Sequence, residues 1–561
     1  IGALESAASR QPGSGLMIDS VSHTYDKHVL DSTSNNQRYL PYRPTSVTQR
    51  YEVGGVKNGT LISQTTESRT VNTLGNTTTA SAVIVDYDSG SPDYYASYTQ
   101  NVATSFSADQ TNWCLSLPVN RTETRTQPGG ASEARAASWV VSGAQCRVTQ
   151  QTIEPGAGST VSLVTDLGYD ACGNVNSVST YPAGQSSSAR TTSLNFGSRC
   201  QLPETETNPL GQASTIAHDY ALGVPTSRTD SNGLAVSYQY DGFGRLVREA
   251  QPDGTAVRTA LIACNAGNGY CGKGSALALK VTRTARDTSD AVLRTDEDFF
   301  DGVGRVRFAH RDTLESGAAM IEQQYDAFGR ITQRSQPRFA AGATYWSSFS
   351  YDLLGRVTQE NAPVSAAQPS GRIRTIAYEG RDTRTTDPRG YATTRVTDVL
   401  GRLRKVIDPS PGGTTLYTYR PFGEPAAVTD AAGNVTSWSY NVRGFVTATS
   451  DPDAGGWSYG PNAFGELAGQ TDAKGQSLSF TYDKLGRPLT RVEPEGTTTW
   501  SWGTSAVAKN LGRLASISSP GGYAESYSYD SVGRLAQQQV TVDGTAYTIN
   551  QTYSASSGWP A

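Results

Sequence analysis

The stretch Tyr482-Asp483-Lys484-Leu485-Gly486-Arg487 decides the fold, because its pattern returns along the chain at a nearly fixed interval. Followed by its glycine from Gly304 to Gly533, the pattern recurs at steps of about 21 residues, stretching to about 26 in places, and such a period is typical of a repeat architecture. The closest copies are Tyr240-Asp241-Gly242-Phe243-Gly244-Arg245, Tyr325-Asp326-Ala327-Phe328-Gly329-Arg330, Tyr351-Asp352-Leu353-Leu354-Gly355-Arg356 and Tyr529-Asp530-Ser531-Val532-Gly533-Arg534.

Each copy predicts a hairpin turn, which we call a Tyr-Asp turn. The aspartate can accept hydrogen bonds from backbone N–H groups two residues on, and the glycine can take the left-handed conformation that other residues resist. The tyrosine before the turn and the arginine after it then become near cross-strand neighbours. Their ring and guanidinium are expected to stack for roughly 0.5–1 kcal/mol, unless a bulge shifts the pairing by one residue.

A second set of glycine turns, the intervening turns, lies between the Tyr-Asp turns. Each of its glycines precedes the next Tyr-Asp glycine by the same step, as Gly475 precedes Gly486. The chain therefore reverses at intervals of about 11 residues, a spacing typical of short strands joined by turns. Strands of about six or seven residues remain between turns, which is a common strand length. The two kinds of turn must then occupy opposite edges of one long antiparallel ribbon. The intervening turns are Asp230-Ser231-Asn232-Gly233, Asp387-Pro388-Arg389-Gly390, Asp430-Ala431-Ala432-Gly433 and Asp472-Ala473-Lys474-Gly475.

The segments between turns alternate with a period of two, as strands do. Leu478, Phe480 and Tyr482 share one parity, and serine, threonine and glutamine fill much of the other. Aromatic residues two positions apart recur in the same place of several repeats, which predicts ladders of stacked rings on one face. These pairs are Phe349/Tyr351, Tyr417/Tyr419, Trp438/Tyr440, Trp500/Trp502 and Tyr527/Tyr529.

The composition favours a thin β structure over a thick globular core. Only 36% of the 561 residues are hydrophobic, whereas 29 Tyr and 8 Trp argue against disorder. A formal net charge of −4 provides no basic footprint for nucleic acid. A membrane-spanning helix takes an apolar run of about 18 residues or more, and the sequence has none, so we expect no membrane span.

The six cysteines predict disulfide bonds and therefore an exported protein, with buried free thiols as the alternative. Their number is even, they form no C-x-x-C motif, and none of the four histidines lies near one in sequence. A metal site is therefore not expected, and neither is a cofactor. We predict pairing in sequential order among Cys114, Cys146, Cys172, Cys200, Cys264 and Cys271.

No catalytic residue is assigned. Gly456-Trp457-Ser458-Tyr459-Gly460 matches a nucleophile elbow, but it falls where a repeat strand is predicted, and no histidine follows it. Asp451-Pro452-Asp453 lacks the ligand spacing of a calcium loop, so turn capping is the simpler interpretation.

The phased Tyr-Asp turns resemble those of the RHS, or YD-repeat, family, which includes bacterial polymorphic toxins, the B and C components of insecticidal toxin complexes, and teneurins. The resemblance covers roughly residues 160–561. It implies a ribbon that spirals into a hollow β-shell around a C-terminal toxin, which an aspartyl autoprotease cuts free. The closing motif of that autoprotease does not follow Gly533. We therefore expect any protease or toxin activity to lie outside this chain.

The predicted fold is all-β, a long antiparallel ribbon of hairpins that forms a hollow shell. Residues 161–561 form the repeat shell, and residues 1–160 are a divergent β-rich entry or cap region. Roughly 26 hairpins give on the order of 50 strands, far more than the ten or so at which open sheets curl. A β-propeller is the structural alternative, but it would need about 13 blades against the usual four to eight.

Three functions are compatible with this fold. The first is a non-catalytic shell that encapsulates and protects a toxin or effector polypeptide until delivery. The second is an extracellular adhesion or glycan-binding surface, and a hydrolase is the least favoured. The expected partner is the encapsulated C-terminal domain, and another RHS subunit, a delivery component or glycans are further candidates. The expected location is the cell surface or the exterior of a bacterium.

Overall fold

The computed structural model describes residues 5–31, 33, 38–107, 109–273, 276–313, 317–339, 342–363, 371–409 and 412–561. These ranges form 42 strands in a single sheet, and each strand pairs antiparallel with the next one along the chain, from β1–β2 to β41–β42. Such a continuous ribbon confirms the predicted fold class and excludes the propeller. The estimate of about 50 strands was too high, because the early strands are longer than the repeat strands.

The strands up to residue 182 include the longest of the sheet. They are β1 Ser6–Arg10, β2 Met17–Asp31, β3 Arg38–Tyr51, β4 Leu61–Val71, β5 Thr77–Asp86, β6 Ser97–Phe106, β7 Pro118–Thr126, β8 Ser132–Ser142, β9 Arg147–Ile153, β10 Leu163–Tyr169 and β11 Val175–Pro182.

The next strands cover residues 190–362. They are β12 Arg190–Asn195, β13 Thr205–Thr207, β14 Ala213–Asp219, β15 Val224–Thr229, β16 Ala235–Tyr240, β17 Leu246–Ala250, β18 Ala256–Ala263, β19 Leu277–Arg286, β20 Val292–Asp301, β21 Val306–Asp312, β22 Ala318–Tyr325, β23 Ile331–Ser335, β24 Trp346–Tyr351 and β25 Val357–Ala362.

The remaining strands carry the most regular repeats. They are β26 Arg372–Glu379, β27 Asp382–Thr386, β28 Ala392–Thr397, β29 Leu403–Ile407, β30 Thr414–Tyr419, β31 Pro425–Thr429, β32 Val435–Tyr440, β33 Val446–Asp451, β34 Gly455–Pro461, β35 Leu467–Thr471, β36 Ser477–Tyr482, β37 Pro488–Glu493, β38 Gly496–Trp502, β39 Leu514–Ser518, β40 Ala524–Tyr529, β41 Leu535–Val542 and β42 Thr545–Asn550.

Helical structure in the described ranges is confined to short turns between strands. One α-helical turn, α1, spans Gly269–Gly272, and 3₁₀ turns span Ser186–Ser188, Gly197–Arg199, Ala266–Asn268 and Pro520–Gly522. Within those same ranges, none of the helices has the length and apolar character needed to cross a bilayer.

The two faces of the ribbon follow the alternation of the sequence. In β36, Leu478, Phe480 and Tyr482 are half-buried, whereas Ser477, Ser479 and Thr481 are exposed. The strand β16 shows the same alternation. Successive side chains of a strand point to opposite faces, so these strands contribute an aromatic face and a polar face to the ribbon.

The sheet continues across residue 160 without a break. The strands β9 and β10 pair on either side of this position, with Ile153 opposite Leu163. The described residues before position 160 therefore add strands to the same ribbon, and the assignment of residues 1–160 as a separate entry or cap region stays a prediction.

Contacts between residues 268 to 328 positions apart show how the ribbon spirals. Near the start, the Arg356 guanidinium lies 2.8 Å from a Glu52 carboxylate oxygen, and near the end Arg534 lies 3.3 Å from Asp253. The backbone N–H of Thr288 donates to the Ser556 carbonyl at 3.0 Å. We call residues 5–351 the first coil and residues 352–561 the second coil, and the second coil lies against one edge of the first.

The accessible surface of the chain is far larger than that of a compact protein. It measures 29985 Å², whereas a compact 59.6 kDa monomer would expose about 19,000 Å². Few large apolar side chains are fully buried, and Phe299 is the largest of them in the described part of the chain. A single layer with solvent on both faces accounts for the additional surface.

Candidate functional site: the seam between the two coils

Each Tyr-Asp turn is closed by its aspartate and glycine. The Asp483 N–H donates to the Arg487 carbonyl at 2.9 Å, and the Gly486 N–H donates to the Asp483 carbonyl at 3.0 Å. Asp483 also accepts hydrogen bonds from the Leu485 N–H and the Arg487 N–H. Gly486 has a φ of +77°, the left-handed conformation that the sequence predicted. The turn is a type I turn followed by a glycine bulge, a common hairpin connection.

The aspartate of each turn also holds the guanidinium of the arginine that ends it. The Arg Nε donates to the second carboxylate oxygen at 2.6 to 2.8 Å in all five copies of the pattern. For Asp483, burial would raise the carboxyl pKa, but the hydrogen bonds from Arg487 outweigh burial and lower it. These pairs are Asp241–Arg245, Asp326–Arg330, Asp352–Arg356, Asp483–Arg487 and Asp530–Arg534.

The predicted stacking of tyrosine and arginine within one turn is wrong, because the arginine stacks on the aromatic ring of the next Tyr-Asp turn. The bulge places Tyr482 opposite Pro488 rather than opposite Arg487, and likewise Tyr240 opposite Leu246. The guanidinium is thereby free to reach the following repeat, 4.2 to 5.4 Å from the ring centre. These pairs are Arg305–Tyr325, Arg330–Tyr351, Arg356–Tyr378, Arg402–Tyr419, Arg420–Tyr440, Arg487–Trp502, Arg513–Tyr529 and Arg534–Tyr553.

The tyrosine hydroxyl completes the link between successive repeats. It donates to the carbonyl of the residue that directly follows the previous turn, as Tyr351 does to Ile331 at 2.6 Å. Burial raises the pKa of the Tyr351 phenol, so the hydroxyl stays protonated as a donor. The same bond joins Tyr325 to Val306, Tyr378 to Val357, Tyr419 to Leu403, Tyr440 to Pro425, Tyr482 to Leu467 and Tyr529 to Leu514.

The predicted ladders of stacked aromatic rings are also not formed. Among the described residues, no ring contact joins two members of the recurring aromatic pairs, and the close ring pairs lie elsewhere, such as Phe299–Phe308. The cross-strand neighbour of Trp438 is Thr449, and that of Phe480 is Arg491. Aromatic side chains therefore alternate with aliphatic or polar ones across the strands, and arginines contact the ring faces.

Where the two coils meet, the Tyr-Asp turns of the second coil lie against the intervening turns of the first. We call this contact the seam. Two of the turns that end in arginine meet carboxylates there: Arg356 pairs with the fully buried Glu52, and Arg534 pairs with Asp253. Hydrogen bonds from Arg356 to Glu52 and Asp352 raise the pKa of its guanidinium despite the opposing effect of burial. A buried carboxylate without such a partner would be strongly destabilising.

Two turns of the second coil end in glutamate instead, and they meet arginines. In Phe464-Gly465-Glu466, the carboxylate receives two hydrogen bonds from Arg190, at 2.7 and 2.8 Å, and the Arg190 guanidinium lies 3.7 Å from the Phe464 ring centre. In Phe422-Gly423-Glu424, the glutamate pairs with Arg135, whose guanidinium lies 4.0 Å from the Phe422 ring centre. Where a turn of the second coil ends in a negative instead of a positive charge, its partner in the first coil is therefore positive instead of negative.

Buried charges also hold the seam near the start of the second coil. Lys57 donates to Asp88, and the Arg381 N–H donates to the same carboxylate. Burial raises the pKa of Asp88, but these hydrogen bonds more than offset it, so the pKa is lowered overall. Further along, the buried Tyr98 hydroxyl donates to Asp93 and lies within hydrogen-bond distance of Asp398. Burial and these carboxylates raise the pKa of Tyr98.

A neutral pair of hydrogen bonds joins the coils further along the seam. The Asn232 side chain accepts from the Leu511 N–H at 2.9 Å and donates to the Leu511 carbonyl at 3.1 Å. Lys509 donates to the Asn232 carbonyl at 2.7 Å. An intervening turn of the first coil is thus held by backbone groups of the second.

The six cysteines form three disulfides in sequential order. Cys114 bonds to Cys146, Cys172 to Cys200, and Cys264 to Cys271. All three lie at the edge of the first coil that carries its Tyr-Asp turns, away from the seam. Cys114–Cys146 and Cys172–Cys200 each join two neighbouring turns, and Cys264–Cys271 closes the single loop between β18 and β19.

The catalytic alternatives considered from the sequence occupy structural positions. Gly456 to Gly460 lies inside the strand β34, so no strand-to-helix elbow exists there. Asp451 caps its turn by accepting from the N–H groups of Asp453 and Ala454. In the part of the chain that the structure describes, no group of three or more His, Cys, Asp or Glu side chains is arranged to hold a metal ion.

The seam was not predicted from the sequence, although one signal pointed to it. The repeat pattern ends in arginine at most copies, but in glutamate at Glu424 and Glu466. A change of sign at a repeated position indicates a different partner there. The identity of that partner could not be read, because Arg135 and Arg190 lie 289 and 276 residues away.

Comparison with known proteins agrees with this geometry. Residues 218–256, 419–455, 462–498 and 510–546 match the family model described as RHS Repeat. A search among curated protein sequences gave no match. The chain therefore carries RHS repeats.

Solved toxin-complex structures share the fold. The crystal structure of TcdB2-TccC3-TEV has a TM-score of 0.70 and 13% identity, over 98% of this chain and 41% of that chain. The crystal structure of TcdB2-TccC3 without its hypervariable C-terminal region gives 0.70 and 12%, with the same coverage. A Tc holotoxin pore of Photorhabdus luminescens gives 0.68 and 12%, over 98% and 40%. This chain thus has the fold of a toxin-complex RHS shell and spans about two fifths of those chains.

Proposed function

We propose that this chain is a non-catalytic wall of a shell that encloses and protects a toxin or effector polypeptide until delivery. The observation that carries the proposal is the accessible surface of 29985 Å², about one and a half times that of a compact protein of this mass. A spiral single layer wetted on both faces leaves one face bordering an enclosed space. Such a space can hold a polypeptide without any small-molecule binding site in its wall.

The side chains of the ribbon suit a guest that is held without tight binding. One face carries half-buried aromatic rings partly covered by arginines. The other face carries exposed small or polar residues, which are serine and threonine in β36 and alanine, serine and glutamine in β16. A uniformly apolar wall would bind an unfolded chain strongly. On both faces of this ribbon, polar groups lie between the apolar ones.

The absence of catalysis is part of the proposal and rests on the roles of the polar groups. The repeated aspartates cap turns and hold arginines, and the buried carboxylates Glu52 and Asp88 neutralise cations in the seam. These groups have structural partners already. We assign any protease or toxin chemistry to segments outside these 561 residues.

Partners and location follow from the same proposal. The similar structures are named as complexes of TcdB2 and TccC3, so we infer that this chain associates with other toxin-complex components. Three disulfides favour export to an oxidising environment. We infer a bacterial protein that acts outside the cell.

The test is limited proteolysis of the natural polypeptide that contains residues 1–561 together with its flanking segments. Glu424→Lys combined with Glu466→Lys places lysines against Arg135 and Arg190 and should open the seam. We expect the enclosed segment to be resistant in the wild type and to be cut in this variant.

The matched control is Glu206→Lys combined with Glu360→Lys. It changes the charge by the same amount at two ion pairs that do not cross the seam, one inside the first coil and one inside the second. It should leave the enclosed segment resistant. A flanking segment that is cut equally fast in the wild type and in both variants would rule out encapsulation and favour the adhesion function.

A further inference from the structure

One repeat of the second coil lacks the tyrosine that precedes its turn. At the end of β34, Pro461 stands at the position that Tyr440 and Tyr482 hold in the neighbouring repeats. The turn before it departs from the pattern as well, because it ends in Phe445 where most copies end in arginine. Neither the usual arginine nor the usual tyrosine is therefore present to link these two repeats.

The carbonyl that the missing hydroxyl would reach is that of Val446. In a regular repeat the tyrosine hydroxyl donates to the first residue after the previous turn, as Tyr482 does to the Leu467 carbonyl at 2.8 Å. Val446 is the first residue after Phe445. A proline side chain has no donor, so Pro461 leaves the Val446 carbonyl without this hydrogen bond.

This loss sets Pro461 apart within the described part of the second coil. Two other strands also end without tyrosine, but each still supplies a donor: the Thr397 hydroxyl donates to the Arg381 carbonyl at 3.4 Å, and Trp502 Nε1 donates to the Pro488 carbonyl at 2.9 Å. The strands that do end in tyrosine all make the bond, through Tyr378, Tyr419, Tyr440, Tyr482 and Tyr529.

A cavity of about 560 Å³ opens on the aromatic face at this place. Pro461 and Val446, the two ends of the missing link, both line it. The Phe445 ring reaches the next turn as an arginine would, and it lies against Gly465, where an added Cβ would be 2.8 Å from Phe445 Cζ. The main walls of the cavity are Trp438, Phe445, Val446, Tyr459, Pro461 and Leu467.

We propose that this cavity is a binding site for a tyrosine side chain of an extended polypeptide. The bound ring takes the place of the ring that Pro461 does not supply, and its hydroxyl donates to the Val446 carbonyl. The Phe445 ring packs against it where other repeats place a guanidinium, in the offset or edge-to-face arrangement that aromatic pairs prefer. The regular repeats thus define the ligand, because each fills the equivalent place with its own phenol ring.

The size of the cavity favours a side chain presented by a polypeptide over a free phenol. A cavity of about 150 Å³ is enough to bind benzene, so one ring leaves much of the 560 Å³ unfilled. The residues on either side of a tyrosine in a peptide can occupy the remainder. Under the proposed function the source is the guest polypeptide, and this step rests on that function. One ring and one hydrogen bond give a dissociation constant on the order of 1 mM, which suits a guest that must later be released.

The test is saturation-transfer difference NMR of the 561-residue chain with short peptides. The probes are the amidated tripeptides acetyl-Gly-Tyr-Gly and acetyl-Gly-Phe-Gly, together with p-cresol as the free phenol. We expect the tyrosine peptide to bind, and the phenylalanine peptide to bind roughly fivefold more weakly because it lacks the hydroxyl. The free phenol should bind more weakly than the tyrosine peptide.

Two variants fill the cavity from different walls. Pro461→Tyr restores the ring of a regular repeat, and Leu467→Trp enlarges the opposite wall, so each should lower the affinity for the tyrosine peptide about tenfold or more. Pro461→Ala leaves the cavity open and should bind like the wild type. The matched control is Pro452→Tyr, which adds the same ring at an exposed turn on the opposite edge of the coil and should not change binding. Near-ultraviolet circular dichroism checks that every variant is folded.

The proposal is overturned if the tyrosine peptide does not bind, if the phenylalanine peptide binds equally well, or if neither cavity-filling variant lowers the affinity more than Pro452→Tyr does. Binding of p-cresol as tight as that of the tyrosine peptide would assign the cavity to a free phenol and would also overturn it. No guest polypeptide is present in this experiment, so its failure is distinct from a failure of encapsulation in the proteolysis experiment.

Discussion

The Glu466–Arg190 pair provides a direct measure of how strongly the seam holds the coils together. Glu466→Gln keeps the size of the side chain and removes its charge. The wild-type carboxylate accepts two hydrogen bonds from Arg190, at 2.7 and 2.8 Å, and a third from the Asn462 side chain at 2.8 Å. The side chains of Arg190 and Glu466 are only 19% and 14% exposed. We expect this substitution to weaken the seam locally without unfolding the repeats.

The magnitude follows from the number and kind of bonds lost. A hydrogen bond between charged groups contributes about 1.5–3 kcal/mol, and the glutamine oxygen can still accept one bond from Arg190. The Phe464 ring, 3.7 Å from the guanidinium, still covers the arginine. We therefore expect a loss of about 2 kcal/mol, which corresponds to a roughly 30-fold larger population of the opened seam.

Native-state hydrogen exchange measures this population, because amides in the contacting turns exchange when the seam opens. Amides of residues 462–466 and 186–190 should exchange roughly 30-fold faster in Glu466→Gln. The control is Glu206→Gln, at an ion pair with Arg228 in which both side chains are exposed. It should change the free energy by less than about 1 kcal/mol.

Exchanging the two charges completes the experiment. Glu466→Arg alone should accelerate exchange more than Glu466→Gln, because it places two guanidinium groups together. Adding Arg190→Glu should restore part of the loss, as a double-mutant cycle would detect. If the double variant is no slower in exchange than Glu466→Arg, or if Glu206→Gln equals Glu466→Gln, the seam is not held by this pair.

Three further predictions concern the turns, the ionisable groups and the cysteines. Gly475→Ala should lower the free energy of unfolding by about 1–3 kcal/mol, because its backbone is left-handed. Gly486→Ala should lower it further, because an added Cβ would lie 2.8 Å from Glu466 Oε1. Equal shifts of the two denaturation midpoints would contradict this. The pKa of Asp326 and Asp530 is lowered by hydrogen bonds from Arg330 and Arg534 that outweigh burial, so their stabilisation is complete above their unfolded pKa and is lost as pH falls below about 4. Burial and Glu525 raise the pKa of Tyr527 to about 12. The neutral phenol therefore stabilises the fold fully below a pH of about 10, and this stabilisation is lost as the pH rises towards the pKa of Tyr527 in the folded protein. A circular dichroism signal that stays constant in both the acidic and the alkaline pH range would contradict the assignments for the aspartates and for Tyr527. Thiol titration of the denatured, unreduced chain should find no free cysteine, and six reactive thiols before reduction would refute the pairing. Reduction should destabilise the first coil, because the sequence separations of 32, 28 and 7 residues correspond to about 4, 4 and 2 kcal/mol of loop-closure free energy.

The parts of the fold that depend on neighbouring residues could be predicted from the sequence. The spacing of glycines such as Gly486 and Gly475 predicted the turns, both of which have positive φ. The alternation in β36 predicted strands with one aromatic and one polar face. These features depend on interactions within about ten residues, so the local sequence is sufficient to specify them.

The sequence was less informative about contacts between side chains that lie far apart in the chain. Arg330 was expected to stack on Tyr325 in its own turn, but the glycine bulge directs it to Tyr351 in the next one. The partners Glu52 and Arg356 lie 304 residues apart, and no local pattern relates them. Predicting the seam would have required the number of residues in one coil, which depends on the twist of the whole ribbon.

The signs of the seam charges also specify how the coils are aligned. Arg135 faces Glu424, and moving the second coil by one Tyr-Asp turn in one direction would bring Arg402 to that place. Moving it by one turn in the other direction would bring Arg487 opposite Arg190, which now faces Glu466. Each shift thus creates a pair of like charges in a partly buried contact, which costs several kcal/mol. Since either shift is penalised, the two glutamates among the arginines select one alignment, and this alignment sets the number of hairpins in each coil and hence the width of the coil.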